Sequence, residues 1–184
     1  MKPRRTKTAG RLFSVMLAIG HLFAAPLAAS DTSGLDHRRG VRKAKAPPRA
    51  PQVKGRMSSN DAFALKIAYG RAIKRLEKIE SCRDLFDGLD MDGLQALAGS
   101  QYRPVQTDEE RAYCTRGVYA YTAVGHNRIM ICRHFFHMQD ARTKMAVLIH
   151  EALHTAGMGE APGHPDCMTA EEITAMVEKA CLLR

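Results

Sequence analysis

No cysteine precedes Cys82 in this 184-residue chain, no acidic side chain stands among residues 1 to 30, and no apolar run is as long as a membrane span. The missing early cysteine excludes a lipid anchor placed just after a leader. The other two absences concern one stretch. Lys2, Arg4, Arg5, Lys7 and Arg11 precede an apolar run from Leu12 to Leu27, broken by His21 and Pro26 and followed by Ala28-Ala29-Ser30-Asp31. A spanning helix needs about 20 apolar residues, so residues 1–30 read as a secretory signal cut at its small residues rather than as an anchor. The chain lacks an internal repeat, and it lacks low complexity outside one basic segment. Asp90-Met91-Asp92-Gly93 lacks the ligand spacing of a calcium loop and reads as a turn before a short helix, Leu94 to Ala98.

Charge is present but unevenly spread. Residues 1–30 carry +5 and residues 31–56 carry +6, so of the net +9 the remaining residues 57–184 hold −2. The basic character therefore belongs to segments that are removed or unfolded, and no specific nucleic-acid partner is expected. Residues 31–56 combine eight bases with Pro47, Pro48 and Pro51. That composition cannot bury a core and reads as a linker, with weak contact to anionic surfaces or a propeptide role as the sharper readings. A domain of residues 57–184 follows, large enough for one core.

All five cysteines (Cys82, Cys114, Cys132, Cys167, Cys181) lie in that domain, and secretion would place them where disulfides form. Thr169 and Glu172 make a capping box for a terminal helix from Ala170, which separates Cys167 from Cys181 by roughly 20 Å at the helical rise. A disulfide needs Cα atoms within about 7 Å. The expectation is two bridges among Cys82, Cys114, Cys132 and Cys181, with Cys167 left over.

Helical spacing of Leu65, Tyr69, Ala72, Leu76 and Ile79 after the cap candidates Ser58 to Asp61 predicts a first helix running to about Cys82. Val118 to Val124 and Ile129 to Cys132, parted by Gly125-His126-Asn127, predict an antiparallel hairpin. A helix from near Asp140 to Gly157 should follow. The fold class is α+β: a small domain with the hairpin beside that helix and flanking helices around it.

The helix carries the chemistry. His150-Glu151-x-x-His154 is an H-E-x-x-H motif inside an apolar pattern, with Gly157 three residues on. At about 100° per residue the two histidines lie roughly 40° apart on one face. Met145, Leu148, Ile149, Ala152, Leu153 and Ala156 fill a separate arc suited to the core. Catalytic zinc takes three protein ligands and keeps a position open. It lowers the pKa of a water to about 7, and Glu151 is placed to take that water's proton and pass it to a leaving amine. His150 and His154 supply two ligands; Glu160, His164 and Asp166 are the candidates for the third. Glu160 ranks first because it stands three residues past Gly157, where H-E-x-x-H-x-x-G-x-x-H enzymes place their last histidine. Tyr119, Tyr121 and His126 are candidate oxyanion donors, read more simply as strand and turn residues. His134, His137 and Met168 have ordinary packing or surface readings.

The run from Tyr119 to Gly157, with Ala120-Tyr121-Thr122, Arg128 to Cys132, Phe135-Phe136 and His150-Glu151-x-x-His154, resembles the deuterolysin-like aspzincin metallopeptidases. The resemblance covers about forty residues. It implies a zincin-like domain, Zn2+ as cofactor and a protein or peptide substrate. Aspzincins take an aspartate in a G-T-x-x-D context as third ligand; Gly163-His164-Pro165-Asp166 departs from it, without the threonine and with shorter spacing. The tail from His150 through Gly159-Glu160-Ala161-Pro162 to Thr174 is also similar to small secreted bacterial proteins of unassigned function with an H-E-x-x-H-x-x-G-x-G-E-x-P run, which points to Glu160. The expectation is a secreted or periplasmic zinc metalloendopeptidase with Glu151 as general base and His150, His154 and Glu160 as ligands. The alternative is a non-enzymatic, metal-stabilised binding protein.

Overall fold

The structure, a computed structural model, describes residues 50–115, 117–163 and 167–181. The expected signal segment, most of the basic linker, and His164 and Asp166 lie outside the described residues.

Ser58 caps the first helix, α1 (Ser59–Lys78), by accepting a hydrogen bond from the Asp61 backbone N–H. Leu65, Ala68, Tyr69, Ala72 and Leu76 are its buried stripe. The helix stops short of Cys82 because Ile79 is extended (φ −109°, ψ 110°), and a second short helix, α2 (Glu80–Arg83), starts in a new direction. Arg83 Nη1 donates to the Glu77 carbonyl (3.0 Å), satisfying a backbone acceptor that the break leaves open. A 3-10 turn at Asp84–Phe86 leads to α3 (Gly93–Gly99), the short helix expected there, capped by the Asp92 carboxylate.

The sheet has four short strands, β1 (Gln52–Val53), β2 (Gln101–Pro104), β3 (Ala120–Tyr121) and β4 (Arg128–Ile131), in the order β1-β2-β4-β3. The first two pairings are parallel, and β3 pairs antiparallel to β4 with Ala120 opposite Ile131 and Tyr121 opposite Met130. The hairpin is therefore present, with shorter strands than the β-rich runs suggest, and β3 forms the outer edge. Gln52 and Val53, within the 31–56 stretch expected to be linker, join the sheet beside β2, and Lys54 N–H donates to the Tyr102 carbonyl at 2.9 Å. Backbone pairing needs no apolar side chain, and both β1 residues are exposed, so composition conceals this strand.

After β4, α5 (Arg133–His137) precedes α6 (Ala141–Thr155), the H-E-x-x-H helix. Its N-cap is Asp140, whose carboxylate accepts from the Arg142 and Thr143 backbone N–H groups. Met145, Leu148, Ile149, Ala152, Leu153 and Ala156 are all essentially inaccessible, and the helix packs against α1, α3 and α7 (Ala170–Cys181). Full burial of each leucine stabilises the fold by about 1.5–3 kcal/mol. At the exit Gly157 takes φ +104°, and the Met158 N–H donates back to the Leu153 carbonyl at 3.0 Å. This is the left-handed closure that a glycine permits.

A short helix at Asp108–Ala112, α4, opens on a capping box between Thr107 and Glu110. The expected box of Thr169 and Glu172 opens α7: Thr169 N–H donates to the Glu172 carboxylate (2.8 Å) and Glu172 N–H to Thr169 Oγ1 (3.3 Å). Cys82 bonds Cys181 and Cys114 bonds Cys132, with Cα separations of 4.8 and 5.7 Å, and Cys167 is free and exposed. The first bridge ties α2 to the end of α7; the second ties the approach to β3 to the end of β4. No helix among the described residues is long and apolar enough to cross a membrane.

Candidate metal centre

Helical periodicity brings His150 and His154 together one turn apart near the end of α6, with their Nε2 atoms 3.0 Å from each other. The glycine exit then folds the chain back beneath them. Glu160 Oε2 lies 2.9 Å from His154 Nε2 and 3.4 Å from His150 Nε2. The three ligand atoms fall within 4.8 Å of one another, and the group can hold a metal ion. Among the described residues no other cluster of three histidines, cysteines or carboxylates does so. Glu160 thus meets the two histidines, while the other third-ligand candidates, His164 and Asp166, lie outside the described residues.

The outer nitrogens of both rings are held from different elements. His154 Nδ1 faces the Met158 carbonyl at 2.8 Å. A carbonyl only accepts, so Nδ1 carries a proton, which leaves Nε2 as the atom that turns to the centre. His150 Nδ1 faces Thr174 Oγ1, on α7, at 3.0 Å. Burial pushes the His150 imidazolium down to about 4, helped by His154 and opposed by the Glu160 carboxylate. A neutral imidazole is the form a metal requires.

Glu151 is the buried carboxylate of the site. Its Oε2 is inaccessible and has no hydrogen-bond partner, while the Thr122 backbone, next to β3, bonds the same carboxylate. Burial first, and the neighbouring Glu160 charge second, push it up to about 8, against the Thr122 bond. An unpaired buried carboxylate costs folding free energy. Such a group has no structural purpose that apolar packing would not serve better, and a nearby cation would offset its cost. A second tie comes from the hairpin loop, where Gly125 N–H donates to the His154 carbonyl at 2.8 Å.

These groups line a cleft of about 830 Å³. Residues 117–124, including the edge strand, form one wall; Thr143, Val147, His150, Glu151 and His154 of α6 form the floor; Ala170, Glu171, Thr174, Ala175 and Glu178 of α7 form the other wall. Tyr119 is half-buried in that lining, and Tyr121 donates its hydroxyl to the Glu110 carbonyl (3.1 Å) and packs on Tyr113 with ring centroids 5.3 Å apart. His126, His134 and His137 are exposed and do not join the metal group, and Met168 is exposed as well. Sequence reasoning overlooked Thr174 and Thr122. Both lie within the runs that carry the resemblances but were given no role there, because they reach the site only across the fold.

Two imidazole nitrogens and one carboxylate oxygen make a donor set that suits a divalent metal ion. No protein-family model matches the chain, and no curated protein matches it significantly.

Proposed function

We propose that this chain is a zinc-dependent metalloendopeptidase of the zincin type, acting in an oxidising compartment outside the cytoplasm. The observation that supports it best is the juxtaposition, in one cleft, of the His150–His154–Glu160 group with the unpaired, buried Glu151 carboxylate beside a sheet edge. The two disulfides accord with such a compartment.

His150, His154 and Glu160 would hold the zinc, which supplies a Lewis acid for a peptide carbonyl and lowers the pKa of a water. Glu151 does the proton work. Its carboxylate stands one residue from His150, anchored on one side by the Thr122 backbone. From there it takes a proton from the attacking water and delivers it to the departing amine nitrogen. A basicity raised by burial suits both transfers near neutral pH, and the charge of a cation would draw it back down. Among the described residues β3 has no strand on its outer side, so an extended peptide can align along it by backbone hydrogen bonds and pass over the ligands.

The purified protein should bind about one zinc and cleave a denatured protein or peptide mixture. Glu151→Gln should keep the metal and lower cleavage by about 10²–10⁴-fold. Undiminished cleavage in that variant would remove Glu151 from the mechanism. Zinc binding that raises the melting temperature without any cleavage, in the parent chain, would favour a metal-stabilised binding protein instead.

A further inference from the structure

The two histidines differ in what sets their tautomers. The Met158 carbonyl leaves His154 no choice, because it can only accept. Thr174 Oγ1, 3.0 Å from His150 Nδ1, can donate or accept. If it donates, Nδ1 holds the lone pair and Nε2 the proton, and His150 cannot ligate through the atom that faces His154 and Glu160. If it accepts, Nε2 is free.

We infer that Thr174 is a positioning residue that accepts the Nδ1 proton of His150 and thereby aims the Nε2 lone pair at the metal, making α7 part of the metal centre. The inference rests on the metal-site reading above and is separate from the peptidase reading. Three observations carry it. Thr174 is the α7 side chain that reaches a candidate ligand, while Ile173, Val177 and Cys181 turn to the core. His150 Nε2 already faces Glu160 Oε2 and His154 Nε2, so only the Nδ1–H form leaves a lone pair where the three groups converge. Finally, α7 is clamped by the Cys82–Cys181 disulfide, and Ser81 Oγ donates to the Ala180 carbonyl (2.8 Å), so the hydroxyl is presented from a fixed support. Hydrogen bonds to the outer nitrogen of a ligating histidine orient the ring and raise its basicity.

The test is zinc affinity of the purified protein, measured by competition with a chromogenic chelator, which needs no catalytic activity. Thr174→Val keeps the shape and removes the acceptor, and should weaken zinc binding by about 10–100-fold. Thr174→Ala, which favours the helix, should weaken it similarly and serves if the valine variant folds poorly. Thr174→Ser should restore affinity to within about threefold, well short of the loss expected from removing the hydroxyl. Parent-like affinity in Thr174→Val and Thr174→Ala overturns the inference. So does equal weakening in Thr174→Ser, which would mean the methyl's packing matters and not the hydroxyl. A parent chain that binds no zinc overturns this inference and the metal reading together. Hydroxyl-dependent affinity in a protein that cleaves nothing upholds the inference and removes the peptidase reading.

Discussion

Helix α6 and the segment from Met158 to Gly163 both meet at the same centre, yet they are built on different principles. In α6 the ligands are placed by periodicity: a capped, buried helix holds His150 and His154 one turn apart, and its packing would hold them there with or without a metal. From Met158 to Gly163 the chain is neither helix nor strand. Glu160 is placed by the left-handed exit, by the Met158 N–H bond to Leu153, and by the Ala161 N–H bond to the Met168 carbonyl at 3.0 Å. Its side chain remains one-third exposed, against 11% for His150 and 6% for His154. The helix is a preformed bidentate support, whereas the segment after it presents a more exposed carboxylate. This difference teaches where the centre is open to perturbation.

The largest effects should come from removing ligands. His154→Ala should weaken zinc binding on the order of 100-fold or more, since structural zinc sites divide about 10–16 kcal/mol among their ligands. Glu160→Gln should cost about tenfold or more on the same scale, measured by chelator competition. Parent-like affinity in Glu160→Gln, with loss in a His164 or Asp166 variant, would move the third ligand and break the contrast between helix and loop.

A smaller effect is expected at the junction of the two regions. Gly157→Ala forces a side chain into φ +104° and brings its Cβ within 2.9 Å of Asp90 Oδ2. The backbone cost is about 1–2 kcal/mol, readable by urea unfolding in chelator, and the tilt of the following loop should lower zinc affinity as well. No change in either would mean that Glu160 is held independently of the helix exit.

The subtlest expectation concerns pH with chelator present. Glu151 is pushed up from 4.5 to about 8, so its contribution to stability is full below pH 4.5 and lost as pH rises through 8. His150 is pushed down from 6.5 to about 4, so its contribution is full above pH 6.5 and lost as pH falls through 4. Melting temperature should decline on both sides of mildly acidic pH, and Glu151→Gln should flatten the alkaline limb alone. An unaltered alkaline limb would show that Glu151 is not the group responsible.

Local signals in the chain announce the helical half of this molecule well. Ser58, Asp92, Asp140 and Thr169 each precede an apolar periodic run, and each caps a helix in the fold or pairs in its capping box. The length of the capped helix rules out a Cys167–Cys181 bridge, and the fold decides that Cys167 is the one left over. The sheet was less readable. β1 and β2 are two and four residues long, with exposed or partly buried side chains apart from Tyr102. Such strands exist only because a neighbour offers backbone partners.

The motif, its helix and the Glu151 carboxylate are thus determined locally, since 3.6 residues per turn suffices to put His150, Glu151 and His154 near one another. Long-range packing decided the rest. It seats Thr174 against His150 across a separation of 24 residues, bonds the Thr122 backbone to Glu151, and sets the β3 edge along the cleft. These contacts join segments distant in sequence, and their geometry follows from how the helices pack and where the disulfides close the chain, information that no short stretch of residues contains.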